Sequence, residues 1–105
     1  MNERTATGLK LEKRDDGIAF VVFDAPGESV NTLRAEFSSD FSRVFDAIDG
    51  DETIVAVVLS SGKPESFIAG ADIGMLAAVA SDEEATELSR VGQLAVKRLQ
   101  DCRVP

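Results

Sequence analysis

No histidine occurs in these 105 residues, so Ser-His-Asp triads, imidazole general bases and most zinc centres are excluded at the outset. Cysteine is nearly as scarce. Cys102 stands alone, which rules out a disulfide framework or a Cys-x-x-Cys site within the chain, and its place at the end of an amphipathic pattern reads as a small side chain turned inward. No apolar run is long enough to span a bilayer, and the start of the chain, with Arg4 beside Glu3, has no signal or targeting pattern. A reducing, cytoplasmic setting without a membrane span is therefore the expectation. Positive charge is also in deficit: 11 Lys and Arg face 19 Asp and Glu, a formal charge of −8. Nucleic-acid phosphates would be repelled at long range, so a nucleic-acid partner is excluded. The carboxylates themselves fall into solvated patterns: Asp15-Asp16 in a turn, Asp49 to Glu52 in a loop, and Asp82-Glu83-Glu84 in a helix's first turn. None of them forms a convincing acid–base pair.

What is present reads as one folded α/β unit, with no internal repeat, low-complexity tract or linker, and a hydrophobic content of 44% that supplies one core. Leu9 to Lys13 alternates, and Asp15-Asp16-Gly17 turns the chain into Ile18 to Phe23, a run apolar on both faces and so expected to be central. Asp24 to Asn31 is a loop. From Leu33, the residues Leu33, Phe37, Phe41, Val44, Phe45 and Ile48 keep helical spacing, with Thr32 or Asn31 as the cap. That spacing assigns Phe37, Phe41, Phe45 and also Phe23 to packing. Ile54 to Leu59 is a continuous apolar run, the pattern of a parallel strand buried on both faces. A short helix is expected from about Asp72 to Val79, and Ser81-x-x-Glu84 is a capping box opening a second, with Leu88, Val91, Ala95 and Leu99 as its stripe.

The segment Ser66-Phe67-Ile68-Ala69-Gly70-Ala71-Asp72-Ile73 joins that strand to the short helix through small residues, which let a ligand approach the backbone closely. Free N–H groups at such a junction can hold an oxygen that gains negative charge. The same stretch also reads as a plain strand-loop-helix junction packed with small side chains. At the other end, Arg103-Val104-Pro105 reads as the lead-in to a further buried strand. Without that strand, one sheet edge and one side of the last helix are uncovered, an arrangement that favours self-association or docking with a complementary segment.

Phe67-Ile68-Ala69-Gly70-Ala71-Asp72-Ile73, with Ser61-Gly62-Lys63-Pro64 before it and Pro26-Gly27-Glu28-Ser29-Val30-Asn31-Thr32-Leu33 earlier, resembles the crotonase (enoyl-CoA hydratase/isomerase) superfamily. Within it, the similarity is strongest to the hydratase module at the N-terminus of the fatty-acid-oxidation multienzyme alpha subunit, and it runs from about Leu9 to Pro105. The resemblance implies a crotonase-like ββα spiral fold of which residues 1–105 are a partial domain, stopping before the second oxyanion strand and the catalytic glutamates. It implies that the backbone N–H of Ala71 is one of two donors to an acyl thioester oxygen. It implies further that Ala69, Gly70, Ala71, Asp72, Ile73 and Gly74 line an acyl-CoA channel, and that Ser29 and Val30 lie at the turn gripping the adenosine end. The substrate implied is a coenzyme A thioester, with no covalently bound cofactor and no metal. Family members often place a lysine near these segments. Here Glu28-Ser29 and Gly74 stand there, so other cations must meet the coenzyme's phosphates: Arg34, Lys63 and the part of the domain after Pro105 are the candidates, and Arg34 and Lys63 read equally as plain surface residues.

Hydration of a conjugated thioester needs a base for water, an acid for the α-carbon and donors for the enolate-like oxygen. One donor site and no acid–base pair are legible here. Three readings follow. The first is an N-terminal fragment of an enoyl-CoA hydratase, converting trans-2-enoyl-CoA to 3-hydroxyacyl-CoA in fatty-acid β-oxidation and inactive alone. The second is a non-catalytic remnant that binds acyl-CoA or docks a partner, and the third a small structural α/β domain whose motif is coincidental.

Overall fold

The computed structural model describes residues 8–105; Glu3 and Arg4, on which the reading of the chain's start rests, lie outside that range. Strands β1 (Leu9–Lys13) and β2 (Ile18–Phe23) form the expected antiparallel hairpin, with Leu9 opposite Phe23 and Lys13 opposite Ala19. Its turn is closed by the Gly17 N–H donating to Arg14 O at 3.0 Å, with Gly17 at φ +89°, where an added Cβ would meet Thr53 O. After a loop and helix α1 (Phe37–Asp49) the chain returns as β3 (Ala56–Ser61), parallel to β2, with Ile18 opposite Ala56 and Phe23 opposite Ser61. The order is β1-β2-β3, so β2 is central as its composition requires.

β3 differs from expectation in two ways. It begins two residues later, because the Ile54 N–H is taken by Asp51 O and the Val55 N–H by Gly17 O, which holds both residues in the turn. It is also an edge strand rather than one buried on both faces: Val58 is exposed, as is Val55 just before it. On that open edge the Val57 N–H donates to Pro105 O at 2.8 Å.

Helix α1 starts at Phe37, not Leu33, and its N-cap position is Glu36, with no side-chain cap bond. Neither Thr32 nor Asn31 caps it. The reason is tertiary: the Leu33 backbone is engaged in a parallel bridge with Ala71, and the Asn31 side chain is buried among loop carbonyls. From Phe37 onward the 3.6-residue period places Phe41, Val44, Phe45 and Ile48 on one buried stripe facing Ala19, Val21 and Phe23. The rings of Phe23, Phe37, Phe41 and Phe45 follow one another at centroid separations of 6.0, 5.1 and 4.6 Å.

Helix α2 (Ile73–Ala77) is shorter than expected, and α3 (Asp82–Gln100) is long. Ser81 and Glu84 cap α3 as paired residues: Ser81 Oγ accepts the Glu84 N–H at 3.1 Å, and Glu84 Oε1 accepts the N–H of Ala80, one residue before the cap, at 2.9 Å, in place of that of Ser81. α3 turns Ala95 into the core, with Leu88, Val91 and Leu99 half-buried beside it. Arg98 ties it to α1 through Asp46 and Asp49 at 2.8 and 3.0 Å. Cys102, two residues past the helix, packs half-buried against the core. Arg103 fixes the tail by donating to the carbonyls of Ile48, Asp51 and Ile54. Leu94 and Val96 on α3 remain exposed, as expected for one side of the last helix, and Ile73 and Leu76 on α2 are exposed as well, which the sequence did not lead one to expect.

Candidate functional site

Three backbone bonds and one from a side chain shape the segment before α2. The Ala69 N–H donates to Asn31 O at 2.7 Å, the Leu33 N–H to Gly70 O at 2.8 Å and the Asp72 N–H to Leu33 O at 2.8 Å; the Asn31 Nδ2 donates to Phe67 O at 2.9 Å. In a parallel bridge the residue opposite the bonded one presents its own N–H and C=O to the other side. Ala71 is that residue. Among the described residues no acceptor is paired with its N–H, and Ala71 is exposed. Gly70 makes this possible: its φ of +100° lies in a region only glycine occupies freely, and no neighbour stands within 4 Å of where a Cβ would be.

The unpaired Ala71 amide lies one residue before the helix cap. Asp72 is the N-cap of α2, and its carboxylate accepts the Met75 N–H at 2.9 Å while its main-chain oxygen accepts the Leu76 N–H at 3.1 Å, which leaves the Ile73 and Gly74 N–H groups without an acceptor among the described residues.

Ala71 opens on a cleft of about 640 Å³ walled by Phe23, Leu33, Phe37, Phe41, Phe67 and Met75 on one side and by Leu88, Val91, Gly92 and Leu99 of α3 on the other. Three of the phenylalanines assigned to packing, Phe23, Phe37 and Phe41, therefore also form its wall. Arg34 is the one charged side chain lining the cleft among the described residues, and it sits at the surface 3.5 Å from Glu28. A smaller cavity of about 140 Å³ adjoins it beside Pro26, Asn31, Thr32, Arg34 and Asp40. Lys63 is not available to a ligand in the same way. Its Nζ donates to Ala25 O at 2.6 Å and meets Asp24 Oδ1 at 2.8 Å, with the side chain nearly buried. Lys63 in turn holds the Asp24 carboxyl below the usual carboxylate range.

The structure brings only part of the expected set together. Ala71 lines the cleft, with Ala69 and Gly70 exposed on the segment leading to it. Asp72 is turned to its own helix, Ile73 is 80% exposed and Gly74 is exposed. Ser29 and Val30 are exposed in the earlier loop and line neither cavity. What sequence reading missed was the apolar wall contributed by Leu33, Phe67, Ile68 and Met75. Met75 and Phe67 lie within or beside the motif, so proximity was the available signal. No three His, Cys, Asp or Glu side chains gather into a metal site among the described residues, and no helix there is long and apolar enough to cross a membrane.

A parallel bridge feeding a short helix leaves an unpaired amide at the junction with an apolar cleft in front of it, an arrangement able to hold an oxygen that gains negative charge. The sequence pattern of the family described as enoyl-CoA hydratase/isomerase matches residues 13–105, and the chain belongs to that family. It is 43% identical over 97 residues to the fatty acid oxidation complex subunit alpha of Shewanella frigidimarina, a match covering 92% of this chain and 14% of that protein. Among solved structures it superimposes on an enoyl-CoA hydratase/carnitine racemase from Magnetospirillum magneticum with a TM-score of 0.82 at 26% identity, covering 93% of this chain and 36% of the other. An enoyl-CoA hydratase from Mycobacterium smegmatis has the same fold, with a TM-score of 0.82 at 22% identity over 93% of this chain and 37% of the other. The chain thus spans about one-seventh of the curated relative and little more than a third of these crotonase-fold structures.

Proposed function

We propose that residues 1–105 are the first part of an enoyl-CoA hydratase domain of fatty-acid β-oxidation, adding water across the double bond of a trans-2-enoyl-CoA to give a 3-hydroxyacyl-CoA. In that reaction water's oxygen bonds to C3, a proton is delivered to C2, and the thioester oxygen carries negative charge in between. The Ala71 N–H is one of the two donors that hold this oxygen. Ala69 to Gly74 form the channel segment and Ser29 and Val30 the turn near the adenosine end, with Arg34 at the mouth to meet phosphate. The observation that carries the reading is the unpaired Ala71 amide facing an apolar cleft. Chemistry of this kind belongs with the lyases, and a cytoplasmic setting is part of the same proposal.

No carboxylate lines the cleft among the described residues, so proton transfer falls to glutamates on a portion of the domain beyond Pro105. The chain's small share of its relatives' length supports this division. Isolated, the chain is expected to give no turnover of crotonyl-CoA; extended through the remainder of the hydratase domain, it is expected to do so. Turnover by the isolated chain would overturn the proposal.

A second reading, a non-catalytic module that docks a complementary segment, is favoured by the open edge of β3 and by exposed Val58, Leu94 and Val96. It predicts self-association or partner binding with no change in crotonyl-CoA chemistry after extension. The family match removes the third reading, a coincidental motif.

A further inference from the structure

Asn31 is a buried polar side chain that no part of the reaction uses directly, yet it is the most heavily bonded group near the site. Only 3% of the residue is exposed. Its Oδ1 accepts the Ala25 N–H at 2.9 Å, and its Nδ2 faces Phe23 O at 2.8 Å, Phe67 O at 2.9 Å and Ser61 Oγ at 3.1 Å. Its main-chain oxygen accepts the Ala69 N–H at 2.7 Å. One residue therefore joins the end of β2, the end of β3, the Ala25 loop and both sides of the segment leading to Ala71.

That placement has a consequence for Ala71. Nothing else among the described residues bonds the 67–69 stretch to the sheet, while Gly70, at φ +100°, is a swivel that by itself leaves the following amide free to turn. Two bonds from Asn31 on one side of the swivel and the Leu33 bridge on the other fix the direction of the Ala71 N–H. Preorganised donors are effective because they do not reorient as charge develops.

We infer that Asn31 is a positioning residue for the oxyanion donor, acting through Phe67 O and Ala69 N–H to aim the Ala71 amide. This rests on the reading of Ala71 as a thioester donor. A purely structural Asn31 would contribute stability alone; a positioning Asn31 governs polarisation of the bound carbonyl in molecules that remain folded.

The test uses crotonyl-CoA carrying ¹³C at the thioester carbon, at saturating concentration, together with amide hydrogen exchange. Asn31→Asp keeps the size and the Oδ1 acceptor but replaces the Nδ2 donor with a second acceptor. Ile48→Val, in the core far from the loop, serves as a control for lost stability. In the unsubstituted chain the bound carbonyl resonance moves downfield. In N31D it returns to the position of free thioester and the Ala69 and Asp72 amides exchange about tenfold faster, as expected for loss of a buried hydrogen bond, whereas I48V leaves the carbonyl shift in place. Should N31D not fold, Ser61→Ala removes one strut, and a few-fold acceleration at Ala69 with Val21 unchanged is expected. A carbonyl shift that survives N31D, a shift lost equally in I48V, or unchanged Ala69 exchange in S61A overturns the positioning role. Absence of any shift in the unsubstituted chain overturns the oxyanion reading itself, and the positioning role with it.

Discussion

Leu33 and Ala71 form a single rung of parallel sheet, in which both hydrogen bonds are made by the Leu33 backbone, to Gly70 O and from the Asp72 N–H. This asymmetry leaves the Ala71 amide to the cleft. It also explains why α1 begins late: a residue engaged as a strand rung cannot be the first turn of a helix.

Gly70→Ala tests the swivel. The position offers room for a methyl group but a φ of +100°, so the cost is conformational and not steric. Loss of about 1 kcal/mol in denaturant-unfolding stability is expected, with the Leu33 and Asp72 amides becoming less protected from exchange. Unchanged stability and protection would mean that Gly70 does not constrain the segment.

Ala71→Pro removes the proposed donor while deleting no bond within the protein, because the Ala71 N–H has no acceptor among the described residues. Proline is tolerated at strand positions whose N–H is free. In the domain extended through its remaining portion, kcat for crotonyl-CoA hydration is expected to fall roughly 10²- to 10³-fold, the usual effect of losing one oxyanion donor. A kcat within a few-fold of the parent would assign the donor elsewhere.

Acid stability has a defined sign at Asp51. The Thr53 hydroxyl, then the Thr53 N–H, then Lys13 lower its carboxyl from 3.8 to about 2. A carboxyl whose folded pKa is depressed contributes stability that is fully present above its unfolded pKa and lost as pH falls through the folded one. Asp51→Asn should therefore be less stable than the parent at about pH 5, with the gap narrowing as pH falls toward about 2. Urea midpoints across that range measure it. A constant gap would show that the Thr53 and Lys13 contacts do not persist in solution. The Asp24 carboxyl, lowered first by Lys63 and then by Lys10, follows the same sign, and Lys63→Met should remove its part of the slope.

Much of the architecture was legible because it is local. Alternation in Leu9–Lys13, the turn at Gly17, the helical stripe from Phe37 to Ile48 and the Ser81–Glu84 box each express a period or a cap that neighbours alone determine. The misread features depend on distant partners. Leu33 fits the helical spacing perfectly well until Ala71 claims its backbone, and Asn31 is a good cap whose side chain is drawn instead to carbonyls 8 and 36 residues away. Ile54 and Val55 continue the apolar run, yet Asp51 and Gly17 hold them in the turn. At the site, the motif located Ala71, while the apolar wall from Phe37, Phe67 and α3 emerged only when the helices were packed. The phenylalanines could be assigned to packing from their spacing, but spacing could not show that the surface they form stays open on one side.

Catalysis as proposed requires the Ala71 amide to donate to a thioester oxygen. A ¹H–¹⁵N titration of the chain with crotonyl-CoA measures this directly. The Ala71 amide proton should move downfield, by more than the amides of Ala69, Gly70 or Asp72, and saturate with the ligand. Binding that perturbs other residues while the Ala71 amide stays where it was would contradict the account.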